Sequence, residues 1–207
     1  MSARDAILAR IRSASRGPRA DVEAIIRTHA RGPQPPAFAD LVQRFAERAQ
    51  SLASTVEWVR SREEVPRTVA HYLAQQNLNR VALCWPEFLD LDWIGARISI
   101  AAQVPEPEDP IGITGAFCAI AETGTLMLLS GHDTPAATSL LPETHIAIVA
   151  AERIVATMED AWALLRQEHG ALPRSVNFIS GPSRTADIEQ TVTLGAHGPA
   201  RVFIVLI

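Results

Sequence analysis

The chain has 207 residues, 47% of them hydrophobic and 20% charged, with a formal net charge of −4. That length supports one full domain with a sizeable core and an appendage. The negative balance argues against general nucleic-acid binding, which needs a basic face, and no apolar run approaches the roughly 20 residues of a membrane span. In chain order, ARDAILARIRS (3–13) shows helical spacing at Ile7, Leu8 and Ile11, with charges throughout and no signal-peptide core, so cytoplasmic residence is the expectation. A short second helix is predicted from Asp21 to Thr28, and RGPQPP (31–36) reads as a stiff linker. Residues 1–36 are thus expected to form a helical arm, and residues 37–207 the main domain.

From Phe38 to Leu52 the helical period returns. TVEWV (55–59) alternates as a strand. Ser61 and Glu64 have the spacing of a capping box opening a helix to about Gln76. RVALCW (80–85) and RISIA (97–101) read as strands around a helical turn in DLDWIGA, followed by an acidic, proline-rich loop at 104–110. IGIT (111–114), CAIAE (118–122) and LMLLS (126–130) look extended, and the turn in AETGTL predicts an antiparallel hairpin within or beside the sheet. HIAIVA (145–150) is a buried strand, and Thr157 and Asp160 can cap the helix that follows. SVNFIS (175–180) and RVFIVLI (201–207) are strands, with a helix predicted between them from Ser183 onward. Strands alternating with helices predict an α/β fold, and strands apolar on both faces predict a mainly parallel sheet flanked by helices.

The chemistry is bounded by what is missing. All 19 basic residues are arginine, which removes Schiff-base, pyridoxal-lysine and P-loop-lysine mechanisms. Cys84 and Cys118 form no CxxC pair, so no self-contained iron–sulfur cluster or cysteine zinc site is expected, and both are read as small buried hydrophobes. The histidines show neither HxH nor HExxH spacing. His132-Asp133 is either an acid–base pair or an exposed structural dyad.

Two polar turns remain. Ser180, Gly181, Pro182 and Ser183 end one strand and precede the predicted helix, a position where free N–H groups can hold an anion beyond the carboxyl end of a strand. Arg184 would then sit at the positive end of the helix dipole, where a cation is disfavoured unless a negative group meets it. It pairs locally with Asp187, or it faces a carboxylate or phosphate ligand. Thr185 lies in the same stretch. The other turn, Glu122-Thr123-Gly124-Thr125, sets a carboxylate and two hydroxyls around a glycine. Glu122 is expected to be partly desolvated, which suits acid–base or nucleophilic work; the alternative is a hairpin carboxylate that satisfies backbone N–H groups. A helix of about 12 residues would carry the chain roughly 18 Å from Arg184 to His197, so these two are not expected to share a site.

GITGAFCAIAETGTLMLLSG, TSLLPETHIAIV and ISGPSRTADIEQTVTLGAHGP, in that order, resemble the LUD domain, and more narrowly the lactate utilization protein C family. The matched motifs take in Thr114, Gly115, Glu122 to Thr125, Ser180 to Thr185, Asp187, Glu189, His197 and Gly198, while Ala116, Phe117 and Cys118 depart from the pattern. The resemblance implies a fold like the NagB/RpiA/CoA-transferase superfamily. It also implies a role in oxidising L-lactate to pyruvate beside iron–sulfur partner proteins that hold the clusters, this chain needing no cofactor of its own. On that reading the chain is an accessory or anion-binding subunit, with a small carboxylate held by Thr123, Gly124, Thr125, Ser180, Gly181, Ser183, Arg184, Thr185 and Asp187, and with Glu122 in the same pocket. By analogy with the transferase fold, Glu122 could instead serve a stand-alone acyl-transfer or isomerase-like enzyme. A pure assembly protein is the third reading, and a homo-oligomer is compatible with all of them.

Overall fold

The computed structural model describes residues 2–14, 24–25, 28, 32–33, 37–102, 110–185 and 193–207. The predicted helix at 21–28, the linker at 31–36, the acidic loop at 104–110, Asp187 and Glu189 lie wholly or largely outside them. The chain divides into two units, Met1–Pro35 and Pro36–Ile207. The first contains helix α1 (Ala3–Ala14). Ser2 and Asp5 close a reciprocal cap there, the Asp5 carboxylate accepting from Ser2 N–H at 3.0 Å and Ser2 Oγ accepting from Asp5 N–H at 3.2 Å.

The second unit is built on a six-stranded sheet in the order β1-β12-β7-β4-β2-β3. The strands are β1 (Thr55–Trp58), β2 (Val81–Cys84), β3 (Ser99–Ala101), β4 (Ile111–Gly115), β7 (Thr144–Val149) and β12 (Arg201–Leu206), and every pairing is parallel. All residues of β4 and β7 are buried, as the continuous apolar runs of a sheet covered on both faces require. Helices α2 (Leu41–Ser51) and α3 (Val65–Gln75) pack on this core. Asp40 caps α2 by accepting from Val42 and Gln43 N–H at 2.9 Å each. Tyr72 of α3 stacks on Phe203 of β12 with ring centroids 4.0 Å apart.

A smaller sheet, β8-β5-β6-β9, stands beside it, formed by β5 (Cys118–Ile120), β6 (Thr125–Leu129), β8 (Ile154–Val155) and β9 (Val176–Ile179). β5 and β6 make the expected antiparallel hairpin, and β9 runs antiparallel to β6. Between β6 and β7 lies the short helix α4 (Ala137–Leu140). Helix α5 (Met158–Glu168) is capped by Thr157 and Asp160 as expected, the two forming a reciprocal capping box, and packs Ala161 and Leu165 against Cys118, Ile120 and Met127. Both cysteines are buried, and desolvation pushes the Cys84 thiol up to about 12 and Cys118 up to about 11. Among the described residues no helix is long and apolar enough to cross a membrane.

Two local readings are corrected. Ser61 makes no side-chain cap, because the first turn, Arg62–Glu64, is a 3-10 helix and α3 begins only at Val65 with Pro66 in its first turn. Glu64 instead accepts from the Arg60 N–H at 3.0 Å. DLDWIGA does make the expected helical turn, Ala96 N–H donating to the Asp92 carbonyl at 3.2 Å, and a separate 3-10 turn precedes it at Pro86–Phe88. Finally, Arg184–Thr185 is a strand, β10, paired antiparallel with β11 (Thr193–Leu194), so no helix opens at Ser183.

Candidate anion site at the amino end of the parallel sheet

The two polar turns singled out in the sequence meet. Thr125 Oγ1 and Ser180 Oγ lie 2.7 Å apart, joining the ETGT turn at the start of β6 to the turn that leaves β9. Both press on the end of α2, and glycine is what permits it. Gly124 has φ +68°, and a Cβ there would stand 2.5 Å from Ala49 N and 2.9 Å from Arg48 Cβ. Gly181 has φ +80°, and its Cβ would meet the Leu52 carbonyl oxygen at 2.4 Å. Any side chain would therefore force backbone apart and add the strain of a left-handed conformation.

This junction is at the amino end of the parallel sheet, contrary to the sequence-based placement. β9, which Ser180 follows, belongs to the smaller sheet, so its carboxyl end does not coincide with that of the parallel strands. Leu52 immediately precedes β1, and Ser183 N–H donates to the Pro199 carbonyl at 2.8 Å, just before β12.

Arg184 consequently faces something quite different from a helix N-terminus. Its Nη2 donates a long 3.5 Å contact to the carbonyl of Leu52, the C-cap residue of α2. A helix carboxyl end is the negative pole of the dipole, where a cation is favoured. His197 is also drawn in: its N–H donates to Ser183 Oγ at 3.3 Å, and Gly195 N–H donates to the Ser183 carbonyl at 3.0 Å. Antiparallel pairing of β10 with β11 sets Thr193 and Leu194 beside Thr185 and Arg184, which removes the separation a helix would have imposed. Asp187 lies outside the described residues.

Sequence reading missed the strongest donors. Arg44 and Arg48 stand one turn apart on α2, and the Nε of each is buried without a hydrogen-bond partner; the Arg44 guanidinium lies over the Phe38 ring, 5.1 Å from its centroid, which leaves Arg48 as the donor beside the turns. Thr123 Oγ1 and Ser54 Oγ are buried and unpartnered as well. Arg48 touches the Gly124 position, Thr123 is its neighbour, and Ser54 follows Leu52 by two residues. Buried polar groups without partners are uncommon and costly, and guanidinium donors left open are suited to carboxylate or phosphate. The only sequence signal was an i, i+4 arginine pair on an amphipathic helix, which ordinarily marks a solvated face. Glu122 is half-buried; its N–H is spent on the Ala156 carbonyl at 3.0 Å.

Further along the same end, His145 of β7 is fully buried, with Nε2 2.8 Å from Thr114 Oγ1 and Nδ1 unpartnered. Burial lowers its pKa to about 4, so the ring is neutral near pH 7. The His132–Asp133 pair, 2.7 Å apart, is on the surface with side chains 98% and 71% exposed. Among the described residues no group of three or more His, Cys, Asp or Glu is arranged to hold a metal.

Residues 110–207 match the family model described as LUD domain. The chain is 38% identical over 97 residues to lactate utilization protein C of Anoxybacillus flavithermus, covering 47% of this chain and 43% of that protein. It is 40% identical over 100 residues to the Bacillus subtilis protein of the same name, covering 47% and 42%. With the Oceanobacillus iheyensis protein of that name the match extends over 141 residues at 33% identity, covering 67% and 59%. The chain thus spans less than half the length of the first two of these relatives. A crystal structure of a DUF162 family protein from Deinococcus radiodurans superposes with a TM-score of 0.60 at 24% identity, covering 83% of this chain and 99% of that one, and shares its fold. The LUD domain match thus accounts for residues 110–207, just under half of the chain.

Proposed function

We propose that this LUD-domain chain serves lactate utilization as a non-redox component that holds a small carboxylate at the junction of α2 with the ETGT and Ser180–Ser183 turns. The observation that carries the reading is the pair of buried, unpartnered donors there: Arg48 Nε and Thr123 Oγ1, beside turns that lie within the residues matching the LUD domain. An α-hydroxy acid suits such a junction. Its carboxylate would take the guanidinium N–H groups of Arg48, with Arg184 at the rim. Its hydroxyl would bond among Thr123, Thr125 and Ser180, and the half-buried Glu122 would accept from that hydroxyl. Gly124, Gly181, Ser183 and Thr185 would shape the turns, and Asp187 belongs to the same proposal. Oxidation of L-lactate to pyruvate would fall to iron–sulfur partner proteins, in the cytoplasm, with no cofactor held by this chain. The kinship with the NagB/RpiA/CoA-transferase fold is part of this reading.

A strain that depends on the gene for growth on L-lactate tests it. Wild type should restore growth, and Arg48→Ala, expressed to the same level, should not. Restoration by both variants would make the arginine structural. Growth of the deletion strain on L-lactate without any complement would overturn the lactate reading.

A further inference from the structure

The opposite end of the parallel sheet carries a site of the opposite charge. β2 ends at Cys84 and β4 at Gly115, and beyond them, against the end of β6, lies a cavity of about 350 Å³. Crevices beyond the carboxyl ends of parallel strands are where open α/β sheets ordinarily bind ligands, and this volume falls in the range of roughly 300–1,000 Å³ typical of small-molecule sites. Trp85, Phe117 and Leu129 form apolar walls.

Glu87 supplies the charge. It sits in the 3-10 turn Pro86–Phe88 that follows β2, and its carboxylate folds back over the end of β4. Oε1 lies 2.5 Å from where a Cβ on Gly115 would stand, so the absence of a side chain at 115 makes room for it. Glu87 is exposed as a residue, yet desolvation of its carboxyl group outweighs the opposing charge of Arg62 and raises its pKa. The neighbouring arginines are committed elsewhere. Arg62 grips both oxygens of Asp90 at 2.6 and 2.8 Å and also donates to the Glu87 backbone carbonyl. Arg153 grips both oxygens of Glu168 at 2.6 and 2.9 Å and donates to the Phe117 carbonyl at 2.8 Å. Among the described residues no cation forms an ion pair with the Glu87 carboxylate.

We propose that this cavity binds a small organic cation, with its ammonium group on Glu87 and its apolar body against Trp85, Phe117 and Leu129. A carboxylate without an ion-pair partner beside apolar walls favours a ligand that brings both a positive charge and an apolar surface, and it repels carboxylates. The site is therefore independent of the anion junction at the other end.

Benzylammonium, benzyl alcohol and benzoate share one shape and differ in charge. Titrated calorimetrically into the full-length protein, benzylammonium should bind saturably, benzyl alcohol at least about tenfold more weakly, and benzoate not at all. Glu87→Gln should reduce benzylammonium affinity by at least about tenfold and erase its advantage over the alcohol. Ala116→Trp, which fills the cavity, should abolish binding of both. Benzoate binding as well as benzylammonium, an unchanged affinity in Glu87→Gln, no binding by wild type, or binding that survives Ala116→Trp would each overturn the proposal.

Discussion

At the amino end of the parallel sheet, Gly124 and Gly181 let two turns press against the backbone of α2, and the groups left open are arginine N–H and hydroxyl. At the carboxyl end, Gly115 makes room for a side-chain carboxylate instead, and the arginines nearby are held by Asp90 and Glu168. One end thus offers donors to an anion, and the other offers an acceptor to a cation. What separates them is less the residue types present than which charges the fold has already paired.

The packing half of this contrast breaks most easily. Gly124→Val combines a left-handed φ with a collision against backbone, so it should cost ~3–4 kcal/mol in urea unfolding. Ala116→Val, at the open cavity, should cost less than ~1 kcal/mol. Equal losses would mean that the two ends are packed alike.

The two ends should also respond to pH with opposite signs. His145 titrates near 4 when folded and near 6.5 when unfolded, so the unfolded chain takes up its proton first as pH falls. Stability should therefore drop by about 3 kcal/mol between pH 6.5 and about 4, and His145→Gln should flatten that slope. Glu87 has a raised folded pKa, so the folded state takes its proton first. Its contribution improves as pH falls toward 4.5, and Glu87→Gln should be slightly more stable than wild type at neutral pH. A Glu87→Gln protein less stable at pH 7 would contradict the desolvated carboxylate.

Two smaller effects sharpen the amino end. Arg48→Ala should weaken L-lactate binding by about tenfold, read by calorimetry. Thr125→Val removes the bond to Ser180 and should cost about 1 kcal/mol of stability, measured by denaturant titration.

Much of the fold was legible because its signals are local or strongly periodic. The apolar runs of β4, β7 and β12 announce a buried parallel sheet, and the capping residues Thr157 and Asp160 mark the start of α5. The segment after Ser183 was misread because Arg184 pairs with Leu194 ten positions on, a contact that no local pattern encodes. Ser180 was placed at the wrong end of the sheet because a strand's sequence does not say which sheet it joins. For the site, the ETGT and Ser180–Ser183 turns could be picked out by glycine and hydroxyl chemistry, and they do meet. Arg44, Arg48 and Glu87 could not, since whether a charge is exposed, paired or buried is decided by tertiary packing.

The central claim, that the anion is held at the amino end, is tested most directly by titrating L-lactate into isotope-labelled wild-type protein and mapping the backbone amide shifts. The account predicts perturbations clustered at Arg48, Thr123 and Gly181. Perturbations clustered at Glu87, Phe117 and Ser130, or none at any concentration, would contradict it.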